Sequence, residues 1–187
     1  MSDYRRAFSA GGCFFFTLVT YKRYKYFSDE KNICLLRNAF RHVKNNHPFE
    51  IDAIVVLPDH IHTIWHLPKD DSNYSLRWRL IKHYVSMHIN TSINHRKEKG
   101  IWQRRFWEHA IRSENDWHNH IDYIHYNPVK HGYTNHPGNW KYSSYSNALN
   151  KGWYDKSWGY SEPLNIQTFE LEWRWNRVSC STLQSNE

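Results

Sequence analysis

Two histidines one residue apart, His60 and His62 in the run Leu57-Pro58-Asp59-His60-Ile61-His62, are the sharpest chemical feature of this chain. On a strand, alternate residues share a face, so the two imidazoles stand side by side while Ile61 turns to the core. Neutral imidazoles held this way can ligate a divalent cation and leave positions for a third ligand, water and substrate oxygens. Chance alone can produce such a pair in a chain with 14 histidines, and His66 follows close by. The tight turn at Pro58-Asp59 and a later helix favour chemistry.

That helix runs from Asp116 to about Asn127. At about 100° per residue, Trp117, Ile121 and Ile124 form an apolar stripe suited to a sheet. Beside it runs a polar ribbon of Asp116, Tyr123 and Asn127, with His120 close to it. Tyr123 and Asn127 lie four apart, one turn above each other. If the docked sheet face bears the histidines, all four groups converge on them. A tyrosine hydroxyl, with a reference pKa near ~10, is a weak nucleophile unless a metal or nearby cations favour the phenolate. Its attack on phosphorus gives a covalent phosphotyrosine, releases a sugar hydroxyl and keeps the ester energy for rejoining. The Asn127 carbonyl is a candidate third ligand, and amide oxygen with imidazole suits Mg²⁺ or Mn²⁺. Tyr126 is the weaker nucleophile, because it points opposite Trp117 toward solvent. The alternatives without chemistry are packing for Tyr123, capping for Asp116 and boundary filling for His120.

Strand and helix signals alternate around these groups. Cys13 to Thr20 reads as a buried strand after Gly11-Gly12. A helix capped by Ser28 runs to about His47, where Pro48 stops it. Phe49 to Leu57 and His60 to Leu67 pair as strands across Pro58-Asp59. Ser75 opens a second helix through Leu76, Leu80, Ile81, Tyr84 and Val85, and Trp102 to Ile111 fits a fourth strand. Ser113 and Asp116 cap the tyrosine helix, which Pro128 and then Gly132 end. The order β-α-β-β-α-β predicts an α+β fold, a ferredoxin-like split βαβ antiparallel sheet with helices on one face and an extra C-terminal helix carrying the nucleophile. Residues 1–150 form the catalytic domain; 151–187 are a tail packed on the domain or on a ligand.

Composition bounds the partners. The chain of 187 residues carries a formal charge of +7, and 17% of its residues are aromatic, with ten Trp and thirteen Tyr. That is more rings than one core needs, so some lie on the surface. Cations neutralise phosphate and rings stack on bases, so the balance suits a nucleic acid, although excess charge also simply keeps proteins apart. Cys13, Cys34 and Cys180 form no metal pair or disulfide framework; each reads as a small buried hydrophobe in a reducing cytosol. No signal peptide opens the chain, and no apolar run approaches the ~20 residues that span a bilayer.

The Leu57–His62 run, Trp107-Glu108-His109-Ala110-Ile111-Arg112, and the run from Asp122-Tyr123-Ile124-His125-Tyr126-Asn127-Pro128 to Gly132 together resemble the REP-associated tyrosine transposases. These are domesticated relatives of the single-tyrosine HUH transposases. Tyr4-Arg5-Arg6 also looks like that family's N-terminal motif, and the similarity spans roughly Tyr4 to Tyr145. The resemblance implies a ferredoxin-like endonuclease acting on short palindromic repeats between bacterial genes. On it, His60 and His62 match the metal histidines and Tyr123 the nucleophile, while Asn127 stands where related transposases carry Gln. It also implies a monomer, and that Tyr4, Arg5 and Arg6 read a guide sequence at the hairpin foot.

Arg5 and Arg6 are candidates for guanine readout. Lys22, Arg23 and Lys25 among Tyr21, Tyr24 and Tyr26 form a basic-aromatic strip for single strands. Arg77, Arg79, Lys82, Arg104, Arg105 and Lys130 are candidates for contacts to phosphate, which position DNA without specifying it. Two rival readings are a hairpin-binding protein without turnover and a zinc-dependent hydrolase built on the histidine pair.

Overall fold

The computed structural model describes residues 11–91, 93 and 99–168. Tyr4, Arg5, Arg6 and Cys180 lie outside the described residues, as does the chain from 169 onward. Four strands, β1 (Cys13–Val19), β2 (Glu50–Val56), β3 (His60–His66) and β4 (Trp107–Ala110), form one antiparallel sheet in the order β2-β3-β1-β4. Helices α1 (Glu30–Asn46) and α2 (Tyr74–His88) follow β1 and β3. After β4 come α3 (Glu114–Lys130) and the short α4 (Tyr145–Asn150). This is the expected α+β arrangement.

Alternation along the strands divides the sheet into two unlike faces. Phe14, Phe16 and Leu18 of β1, with Ile61 and Trp65 of β3, face α1 and α2. There Trp65 stacks on Trp78 with centroids 4.1 Å apart and lies 4.2 Å from Phe49. The opposite face carries Phe15, Ala53, Val55 and Ile64, and α3 lies on it through Ile121 and Ile124. His60, His62 and His66 share this second face by the same alternation.

Several boundaries differ from the sequence reading. Ser28 sits in a 3-10 turn, and Asp29 caps α1, accepting a hydrogen bond from the Lys31 N–H at 2.9 Å. Asn73 rather than Ser75 caps α2, which lets Tyr74 begin the helix and still reach the core. The fourth strand is shorter than expected. Trp102 makes one isolated bridge to Thr20, and its ring turns into the α1/α2 core beside Phe27, so a continuous ladder resumes only at Trp107.

Pro128 does not stop α3, which continues to Lys130. A proline this near the end forfeits one backbone bond, and its ring is buried. The end comes at Gly132, whose φ of 69° closes a Schellman motif: the Gly132 N–H donates to Val129 O and the Tyr133 N–H to Pro128 O. Cys34 is exposed and Cys13 half-buried, contrary to the expectation of buried thiols.

Beyond Gly152 the chain packs on the outer side of α3. Tyr154 donates to Asp122 at 2.8 Å, Asn165 Nδ2 donates to the same carboxylate at 2.7 Å, and Ile166 is fully buried. Trp158 covers Tyr126, which is therefore 7% exposed and not turned to solvent.

Candidate active site

The histidine pair opens β3, and each ring is fixed through its Nδ1. His60 Nδ1 donates to Asp59 Oδ1 at 2.6 Å, and the other carboxylate oxygen, Oδ2, accepts from Arg23 at 2.9 Å. His62 Nδ1 pairs at 2.9 Å with Thr17 Oγ1, its partner across the β1–β3 ladder. Both rings are buried, with centroids 4.9 Å apart. The Asp59 carboxylate fixes the His60 tautomer, and with Nδ1 of each ring engaged, Nε2 is the nitrogen left to ligate.

Tyr123 arrives on α3, its ring centroid 5.2 Å from that of His62. Phe15 lies beneath both, 5.5 Å from His62 and 6.2 Å from Tyr123. Lys130, two turns further along α3, holds its Nζ 5.4 Å from the Tyr123 ring centroid. Asn127 is fully buried and abuts His60, yet neither its amide oxygen nor its nitrogen completes a hydrogen bond. Buried amides rarely stay unpaired without a reason. His131 closes the group, with its ring 5.0 Å from that of His60.

Electrostatics favour neutral imidazoles and an ionised acid. Burial holds His60 below the ordinary imidazole range, outweighing the opposing pull of Asp59. His131 is lowered as well, first by burial and then by His60 and Lys130. Burial alone would raise Asp59, but its bonds to His60 and Arg23 prevail and bring it below the usual carboxylate range. At neutral pH His60 is therefore poised to accept a cation rather than a proton.

The polar ribbon of α3 does not act as one group. Tyr123 and Asn127 reach the histidine pair. Asp116 lies near the other end of the helix, seven residues or about 10 Å from Tyr123 at 1.5 Å per residue, and bonds His109 at 2.9 Å. His120 is buried against Phe15, with centroids 4.6 Å apart, and its Nδ1 lies 3.0 Å from Asp116 Oδ1. The expected convergence of all four groups thus holds for two.

A family model for IS200-like transposases matches residues 14–126, a span containing both histidines and Tyr123. A protein of Haemophilus influenzae assigned as a REP-associated tyrosine transposase is 42% identical over 175 residues, covering 89% of this chain and 98% of that protein. The REP-associated tyrosine transposase of Escherichia coli K12 is 42% identical over 159 residues, covering 84% of this chain and 91% of its own. A solved structure of a REP-associated tyrosine transposase bound to a REP hairpin superposes with a TM-score of 0.75 at 39% identity, covering 88% of this chain and 96% of that one. The chain belongs to the REP-associated tyrosine transposases of the IS200-like family.

In this transposase the candidate DNA contacts fall into distinct places. Lys22, Arg23 and Lys25 are exposed beside the histidine pair, tied to it by the Arg23–Asp59 bond, with Tyr21 and Tyr24 exposed among them. Lys22 and Arg23 both have positive φ, which turns this strip sharply out of β1. Arg79, Arg104 and Arg105 are exposed, and Arg79, Lys82 and Arg104 line an open basic groove with Phe106. Lys82 donates to the carbonyls of Gln103 and Arg104, bracing the groove floor. Arg77 must be removed from the phosphate contacts. It is 2% exposed, and its guanidinium is taken up by Asp71 and by the carbonyls of His47, Pro48 and Asn73.

Sequence reasoning missed the supports. Asp59 lay inside the quoted motif and could have been assigned from its position beside His60. Thr17 had no signal, because only the strand register brings it opposite His62. That Lys130 also stands over Tyr123 follows from where α3 docks, although the two lie seven apart at helical spacing.

Proposed function

We propose that this transposase nicks single-stranded DNA at the foot of a REP-type hairpin, with Tyr123 as nucleophile. The observation that carries this reading is the Tyr123 ring set edge-on to His62 of a buried histidine pair, with the unpaired Asn127 amide beside it. The Tyr123 hydroxyl oxygen bonds to phosphorus as the bond from phosphorus to the leaving sugar oxygen breaks. The products are a phosphotyrosine and a free sugar hydroxyl, and the phenolic proton ends on that oxygen or on solvent. The Lys130 ammonium lowers the cost of the phenolate, while Phe15 and Ile124 keep the ring from turning away.

His60, His62 and Asn127 fit a divalent cation, Mg²⁺ or Mn²⁺, since two directed imidazoles and a buried amide oxygen without a partner supply N₂O donors. Such an ion, when bound, polarises the scissile phosphate. The exposed strip of Lys22, Arg23 and Lys25 leads the strand to the site, and Arg79, Arg104, Arg105 and Lys130 hold phosphates around it. Tyr4, Arg5 and Arg6 read bases at the hairpin foot, and residues 1–150 carry the cleavage chemistry. The relatives' association with REP elements, and the REP hairpin bound by one solved relative, support this choice of substrate.

End-labelled REP hairpin incubated with Mn²⁺ tests the reading. Cleavage and a covalent adduct are expected from the native chain and neither from Tyr123→Phe. An adduct that survives that change removes the nucleophile assignment. Full cleavage by His60→Ala/His62→Ala, or in EDTA, removes the metal. Salt-sensitive hairpin binding with no cleavage under any condition would leave a binding protein without turnover.

A further inference from the structure

The face under α3 holds a second set of ligand-type side chains that the cleavage chemistry does not use. Asp116 and His120 lie four apart on α3, so they share one face a turn apart. His109 comes up to them from β4, where it stands opposite Phe15 in the ladder. His109 Nε2 lies 2.9 Å from Asp116 Oδ2, and His120 Nδ1 3.0 Å from Asp116 Oδ1. The two imidazoles are nearly parallel, with centroids 4.9 Å and planes 18° apart. One donor atom from each of the three residues falls within a 4.8 Å group.

We propose that His109, Asp116 and His120 form a second divalent-metal site, selective for a zinc-type ion and separate from the His60/His62 pair. Metal–nitrogen and metal–oxygen distances of about 2.0–2.1 Å place tetrahedral ligands roughly 3.3 Å apart. The two histidine–carboxylate separations need to open by only a few tenths of an ångström, and His120 Nδ1 exchanges its 2.8 Å hydrogen bond to the Asp116 carbonyl for the ion. Two imidazoles and a carboxylate favour zinc, cobalt or nickel over magnesium, which prefers oxygen donors. The carboxylate is already aimed, because Asp116 Oδ2 accepts from the Arg112 N–H at 3.0 Å. One side is open: the His109 and Asp116 side chains are 29% and 20% exposed, which leaves an entry path and room for water as a fourth ligand, while His120 is sealed inside.

The site's place in the fold says what it does. His120 and Tyr123 lie three apart on α3, and both rings pack on Phe15. An ion here joins β4 to the first half of α3, a turn before the nucleophile, and fixes that end of the helix. It acts as a clamp on positioning, and it stands whether or not the chain cleaves DNA.

Cobalt is the probe. The full chain with His60→Ala and His62→Ala, titrated with Co²⁺, is expected to bind one equivalent with visible absorption. Zn²⁺ should displace it, and a thousandfold excess of Mg²⁺ should not. Adding His109→Gln or Asp116→Asn should weaken that binding at least tenfold, while Cys13→Ser leaves it intact. Absence of a bound equivalent overturns the site, leaving a hydrogen-bonded network. So does binding indifferent to both substitutions, or binding lost with Cys13→Ser, which would assign the ion to the neighbouring Cys13, Asp52 and His66. If the added substitutions unfold the chain, X-ray absorption of the cobalt-loaded parent decides. Two imidazoles with oxygen support the site; a sulfur ligand or an all-oxygen shell overturns it.

Discussion

The two faces of the sheet are built from the same strands and do opposite work. Toward α1 and α2, β1 and β3 present Phe14, Phe16, Ile61 and Trp65, and the helices answer with Phe40, Trp78 and Ile81. Toward α3 the apolar contact is small, and on either side of the Phe15–Ile64 pair the strands carry His60, His62, His66 and Thr17. Buried polar groups stabilise a fold little beyond their own desolvation cost, so this second face depends on the first for its rigidity. The difference teaches how the chain can hold a site of buried imidazoles: a dry aromatic layer on one side carries the free energy, and the other side is free to carry chemistry.

The strongest way to break that division is to cross one residue from each face. Tyr123→Phe should abolish the covalent adduct, a loss of at least a thousandfold on the scale of removing a catalytic group, and leave the thermal midpoint within a degree or two. Trp65→Ala should do the reverse, costing about 3–5 kcal/mol in urea denaturation, with the adduct still forming below the new transition. If Tyr123→Phe destabilised as much as Trp65→Ala, the faces would not be separable.

A smaller effect sharpens the chemical side. Asp59→Asn removes the carboxylate that orients His60, and loss of such a partner typically weakens metal affinity or activity about 10–100-fold. Mn²⁺ titration of cleavage should read this as a higher half-saturating concentration. A variant with unchanged Mn²⁺ dependence would place the orientation of His60 elsewhere.

Acid should expose the cost of burying imidazoles. His125, on the outer side of α3, is fully buried, and desolvation lowers its pKa to about 3. Its unfolded pKa is near ~6.5, so below that value the unfolded chain takes up the proton first. Stability is then full above pH ~6.5 and falls with acid by up to about 1.4 kcal/mol per pH unit until the folded pKa is reached. Urea midpoints at pH 7 and pH 5 should show this loss, and His125→Gln should reduce it. His60, His109 and His131 are shifted the same way, so part of the loss will remain.

The smallest effect concerns the rim. Lys22→Ala should lower the slope of log affinity against log salt by about 0.7 for one single-strand phosphate contact, with cleavage chemistry unchanged once DNA is saturating. An unaltered slope would take Lys22 out of the interface.

Much of the molecule was legible because period and punctuation are local. The aromatic, β-branched run of Cys13–Val19, the alternate histidines that open His60–His66, the turn at Pro58-Asp59 and the Ser113 cap each declare themselves within a few residues. So do the His60/His62 pairing and the one-turn spacing of Tyr123 and Asn127, which are fixed by strand and helix geometry before any packing occurs. Where local signals competed, the reading failed. Pro128 argued for a helix end, but the buried ring and the Schellman closure at Gly132 decided the boundary. Arg77 looked like a surface cation, and only the fold revealed the ring of carbonyls around it. Thr17 on His62 and Trp158 over Tyr126 are contacts between residues far apart in the chain. Strand register and helix docking are set by the summed burial of whole faces, so no short stretch of sequence encodes them, and tertiary structure alone determined which groups would meet.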